Sequence, residues 1–122
     1  MKSKATPEPL VEKLWELLQD ATEDLPGVTK RKMFGCQAVF AYTNVFGLIW
    51  KTGRIGVKIP DPGLFRELMA KTGSAPWTAG DRTMSNWILV PESFHRRKDL
   101  LKEWVTVAHG LAAEGGARSK RS

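Results

Sequence analysis

The sequence predicts an α+β domain. It should be a two-layer sandwich, with an antiparallel sheet of about four to six strands and about three helices, in the order α-β-β-β-β-α-β(-β)-α. Three observations carry this reading. Apolar residues recur at helical spacing near both ends and once between them. Short strand-like runs separated by glycine-bearing turns fill the middle. The links between those runs are of hairpin length, which requires antiparallel neighbours and leaves the helices to cover one face.

The elements follow in order. Residues 1–7 read as a flexible polar lead-in, 8–113 as the domain and 114–122 as a mobile basic tail with nothing to pack. Pro7-Glu8-Pro9 opens the first helix, since proline suits a first turn and an acid there meets the positive end of the helix dipole. Leu10, Leu14, Leu17, Leu18, Ala21 and Leu25 make its stripe, and Pro26-Gly27 stops it. Strand runs follow at Val28 to Phe34, Cys36 to Tyr42, Val45 to Trp50 and Arg54 to Ile59. In the last of these, Ile55, Val57 and Ile59 alternate cleanly and should face the helices. Asp61-Pro62 caps and starts a second helix with Leu64, Phe65, Leu68 and Met69 inward, ended by Gly73. Ser74 to Ser85 reads as a loop, with a short edge strand around Trp77 as the alternative. Asn86 to Val90 is a strand stopped by Pro91, and a last helix runs from Arg96 or Asp99 to Ala113.

Composition narrows the function classes. A chain of 122 residues with 42% hydrophobic residues supports one core and not two. One cysteine, Cys36, leaves no internal disulfide, and no signal peptide or membrane-length apolar run is visible, so a cytoplasmic protein is expected. Phosphate-binding, zinc-protease and nucleophile-elbow motifs are absent from the sequence. No catalytic residue, cofactor or metal is assigned, and the domain reads as non-enzymatic. Cys36 reads first as a small buried strand residue, although Lys30, Arg31 and Lys32 would lower its pKa if they faced it. Cys36, His95 and His109 are scattered too widely for a zinc signature. His109, near the end of the last helix, can serve exposed carbonyls.

The basic clusters are the strongest local signal. The net charge is +6, and Lys30-Arg31-Lys32, Arg96-Arg97-Lys98 and the tail residues Arg118, Lys120 and Arg121 stand out. Such groups are candidate phosphate contacts. On a strand, however, Lys30, Arg31 and Lys32 point alternately up and down, so they cannot all face one ligand. Arg96, Arg97 and Lys98 at a helix start would oppose the dipole.

At Lys32-Met33-Phe34-Gly35, preceded by Leu25-Pro26-Gly27-Val28-Thr29, the sequence resembles the TfoX (Sxy) N-terminal domain family. Gly80-Asp81-Arg82-Thr83-Met84-Ser85-Asn86-Trp87 through Pro91, and Leu101-Lys102-Glu103-Trp104-Val105, extend the resemblance from about Leu10 to Leu111. Met33, Phe34, Gly35, Met84 and Trp87 stand at motif positions and read first as core and turn residues. The resemblance implies a two-layer domain and a link to transcriptional control of DNA-uptake genes, in regulators acting with the cyclic-AMP receptor protein. Those regulators carry a second domain, so this chain reads as a single-domain member. The expected partner is a protein, a transcription regulator among the candidates, or a second copy of the chain. Weak nucleic-acid binding through the basic clusters is the alternative. Val45-Phe46-Gly47-Leu48-Ile49-Trp50 is apolar throughout, as for a central strand covered on both sides or one facing a partner. An exposed strip of Phe46, Leu48 or Trp50 would favour a homodimer, and a run buried within the monomer is the competing account.

Overall fold

The computed structural model describes residues 8–33, 35–79 and 81–121. Phe34, Gly80, Ser122 and the lead-in 1–7 lie outside them. The described chain is an α+β two-layer fold with three α-helices and a six-stranded sheet. Helix α1 spans Glu8–Thr22, then β1 Val28–Met33, β2 Cys36–Ala41, β3 Asn44–Trp50 and β4 Arg54–Lys58 form a meander. Helix α2 (Pro62–Met69), the hairpin β5 Ala75–Ala79 and β6 Arg82–Leu89, a 3-10 turn at Glu92–Arg96 and helix α3 (Lys98–Arg121) complete the order. The sheet runs β1-β2-β3-β4-β6-β5, and every neighbouring pair is antiparallel.

The helices lie on one face. Leu14, Leu18, Leu101, Trp104 and Val105 pack there against Ile55, Val57 and Ile59, all of them buried. Local chemistry fixes the ends as expected for α2: the Asp61 carboxylate accepts the Leu64 N–H at 3.1 Å, with Pro62 in the first turn. Lys102 on α3 donates to the Ala21 carbonyl near the end of α1 and pairs with Asp24, tying the two long helices together. His109 is buried and holds the Pro26 carbonyl through Nε2 at 2.7 Å. That carbonyl can only accept, so the ring nitrogen donates. Its ring also meets Phe46 edge-on at 5.3 Å. The carbonyl it serves therefore belongs to the turn before β1.

The opposite face carries a second core, which decides between the two readings of the run Val45 to Trp50. Phe46, Leu48 and Trp50 are not an exposed strip; each is buried within the protomer. The strand is apolar at every position because it lies between the two cores, and a bulge shifts its alternation. Val39 pairs with Gly47 while Phe40 pairs with Val45, so Phe46 is an extra residue. Alternation is broken there: Phe46 and Ile49 join the helix side, while Val45, Leu48 and Trp50 join the other. The homodimer expectation loses the patch it was drawn from.

Of the two readings of Ser74 to Ser85, the structure shows the edge strand around Trp77: β5, at the sheet edge, pairs with β6, whose start Arg82 to Ser85 falls in the segment expected as loop. Its pairing shifts between Pro76 and Thr78, and Asn86 takes φ 70°. These devices let the hairpin curl over the sheet. In a flat sheet β5 would lie about 14 Å from β3, three strand spacings away. Yet the Trp77 ring of β5 lies 5.0 Å from the Trp50 ring of β3. Curling brings Trp77 over the face that helices leave uncovered.

Helix α3 also runs on to Arg121, beyond the expected end at Ala113. Leu111-Ala112-Ala113-Glu114 and Ala117-Arg118, either side of Gly115-Gly116, are good helix formers, and basic residues suit a helix C-terminus. The tail's basic side chains, Arg118, Lys120 and Arg121, lie outside the described ones. Among the described residues no helix is long and apolar enough to cross a membrane.

Candidate functional site

The face opposite the helices is built from strands alone. Its centre is the buried cluster Cys36, Ala38, Leu48, Trp50, Trp77, Trp87 and Leu89. Trp77 meets Trp50 and Trp87 edge-on, with ring centres 5.0 Å apart in each pair. Half-buried Met33, Phe40, Val45 and Met84 surround that centre. Met33, Met84 and Trp87, far apart in sequence, thus converge on one cluster. This supports reading them as core residues. Gly35, in the turn after β1, has φ +74° and open space where a Cβ would stand, so backbone conformation is what calls for glycine.

Cations rim this face. The Arg31 guanidinium lies over the Phe40 ring at 5.1 Å, and the Lys51 ammonium over the Trp50 ring at 5.3 Å. Lys58 stands between Val57 and Ile59, which face the helices, so it points outward, half-buried. Arg82 is two residues before Met84 and shares its side of β6. Among the described residues no strand contains an Asp or Glu. From Leu25 to Pro60 the sequence has no acid, while it has Lys30, Arg31, Lys32, Lys51, Arg54 and Lys58. Acids are confined to the helical layer, its links and the Asp81 turn.

The two described basic clusters fare differently. Thr29, Lys30, Arg31 and Lys32 are all exposed on β1, with Arg31 outward and Lys30 on the helix side. Lys30 there lines a hollow with Gln19, Asp20 and Glu23. Arg96, Arg97 and Lys98 do not form a row at a helix start. Arg96 ends the 3-10 turn, Arg97 lies in the link, and only Lys98 enters α3. The Arg97 guanidinium bonds Asp99 at 3.3 Å, which holds that carboxyl below its ordinary range. Lys51, Lys58 and Arg82 were missed by a reading based on runs of like charge. The absence of acids across the strands would have revealed them.

Cys36 is buried, and burial pushes its thiol up, against a smaller opposite pull from the Lys51 ammonium and the Lys51 backbone. Its charged neighbour is Lys51 rather than the β1 cluster. Cys36 belongs to the outer cluster and His109 to the helix side, so the sheet separates them. Among the described residues no group of three His, Cys, Asp or Glu side chains is placed to hold a metal ion. A second hollow lies between α2 and α3, lined by Leu64, Leu68, Phe94, Leu100, Trp104 and Val107. Its lip mixes Glu67, Lys71 and Glu103 and so has no single sign of charge.

The fold and this face define a small α+β domain whose sheet buries a second apolar core, edged by half-buried Met33, Phe40, Val45 and Met84 and by a basic rim. The chain belongs to the TfoX N-terminal domain family, whose model matches residues 20–112. A comparison with curated proteins finds no match.

Proposed function

We propose that this domain is a non-enzymatic docking module that takes an acidic protein partner on the outer face of its sheet. The observation that carries the reading is the segregation of charge. The charged residues of the described strands, on β1, β4 and β6, are all basic, and Arg31, Lys51, Lys58 and Arg82 rim a face where half-buried Met33, Phe40, Val45 and Met84 edge the buried core. Protein interfaces share this anatomy, with aromatic, Met and Arg side chains enriched and a polar rim around them. Family membership favours a transcription regulator as the partner class, acting in the cytoplasm. Nucleic acid is the second reading, favoured by the same lack of acids. Against it, Arg97 is engaged with Asp99, and Lys30 sits beside Asp20 and Glu23.

A salt titration separates the two. Binding of fluorescent polyglutamate and of duplex DNA would be followed by anisotropy across ionic strength. Docking of acidic protein predicts binding to polyglutamate that is lost in the combined variant Arg31→Glu, Lys51→Glu, Lys58→Glu, Arg82→Glu. Tight DNA binding with a log-log salt slope steeper than about −3, removed by neutralising Lys30, Lys32, Arg96 and Arg97, would overturn it.

A further inference from the structure

We infer that β1 is a docking edge for an extended acidic segment of the partner, which joins the sheet as an added strand. This rests on the docking reading above and specifies its geometry. The sheet has two edges, β1 and β5. Strand β5 contains Pro76, which has no N–H to offer, and its pairing with β6 is irregular. Strand β1 is unbroken, in register with β2 from Val28 opposite Ala41 to Met33 opposite Cys36.

The pairing pattern says which backbone groups remain open. The Tyr42 N–H donates to the Gly27 carbonyl at 2.8 Å, which continues the same register by one pair. In an antiparallel ladder, inward and outward backbone groups alternate residue by residue. Thr29, Arg31 and Met33 therefore bond to β2. Val28, Lys30 and Lys32 direct their N–H and C=O groups away from it, to the open edge.

The side chains fit the same ligand. Lys30, Arg31 and Lys32 alternate in direction, so no rounded ligand lies against all three. A strand laid beside β1 alternates too, and it places a neighbour next to each of them. Lysines on an edge repel a second copy of this edge, and the same charge favours an acidic strand. Asp20 and Glu23 flank Lys30 on the helix side, which confines the acidic requirement to the Arg31 and Lys32 end. Opposite half-buried Val28 the segment carries an apolar residue. Strand addition of this kind draws affinity from main-chain bonds and specificity from alternate side chains.

The test uses the full chain, labelled with nitrogen-15, and a synthetic Glu/Thr peptide, Thr-Glu-Glu-Thr-Thr-Val, whose adjacent glutamates take opposite faces beside Lys32 and Arg31 and whose valine meets Val28. Amide exchange is read residue by residue. Bound peptide should slow exchange at Val28, Lys30 and Lys32 at least about tenfold, while Thr29, Arg31 and Met33 are already protected. The same peptide with N-methyl groups along its pairing edge keeps its charge and should bind about tenfold more weakly. The double variant Arg31→Glu, Lys32→Glu should lose the Glu/Thr peptide and accept a Lys/Thr peptide, with the rest of its spectrum unchanged. Equal affinity for the N-methylated peptide would overturn the inference. So would peptide binding without amide protection and with shifts only at Lys51, Lys58 and Arg82, although the outer face would then stand as the docking surface. Displacement of the peptide by an oligothymidine that binds β1 without protecting those amides would overturn it in favour of nucleic acid.

Discussion

Replacing Trp77 with alanine tests whether the β5–β6 hairpin seals the outer face. The side chain has no solvent exposure and makes edge-on contacts to Trp50 and Trp87. Truncating a buried Trp to Ala costs about 3–5 kcal/mol. Two aromatic pairs, each contributing about 0.5–1.5 kcal/mol beyond buried area, put this site in the upper part, about 4–5 kcal/mol. With about 2.1 cal/mol/K of unfolding entropy per residue, that loss lowers Tm by roughly 15–20 °C. Thermal unfolding followed by circular dichroism measures the shift. Trp77→Phe keeps a ring in place and should lose less than half as much, so it reports even where the alanine variant does not fold. A fall of less than about 5 °C for Trp77→Ala would refute the claim that Trp77 closes a second core.

Three further outcomes are expected. Cys36, buried with its thiol pushed up, should react with a thiol reagent at neutral pH about tenfold more slowly than free cysteine; faster labelling would revive a redox role. His109→Ala removes the hydrogen bond to Pro26 and the contact with Phe46, and urea unfolding should show a loss of about 2–3 kcal/mol. Burial holds His95 below its ordinary value of 6.5, with Glu92 opposing the shift and Arg54 and Arg96 adding to it. The unfolded chain then binds the proton first, so this contribution to stability is whole above pH 6.5 and is lost as pH falls through the depressed folded value. The urea midpoint should drop from about pH 7 to pH 5, and His95→Asn should flatten that dependence.

Periodicity made most of the fold legible. The stripe of α1, the alternation of Ile55, Val57 and Ile59 and the Asp61-Pro62 start each encode their own element locally. What escaped depends on long-range geometry. The run Val45 to Trp50 is compatible in sequence with a strand covered on both sides or one facing a partner, and only the long-range packing of the β5–β6 hairpin decides for the first. Trp77 looked isolated because its partners, Trp50 and Trp87, come from other strands. A local signal for the hairpin did exist, since Gly80-Asp81 is a two-residue turn sequence. The outer rim was hidden for a different reason. Arg31, Lys51, Lys58 and Arg82 are spread over the chain and gather only when the sheet forms, whereas the visible run at residues 96–98 is divided among three local settings.

The claim that the sheet takes an acidic partner is tested most directly by mapping polyglutamate onto the nitrogen-15 spectrum of the whole chain. The account predicts shifts concentrated at Arg31, Lys51, Lys58 and Arg82, with the Met33 and Met84 amides responding and the helices silent. Shifts centred on Arg96, Arg97 and Lys98, or on the α2–α3 hollow, would contradict it.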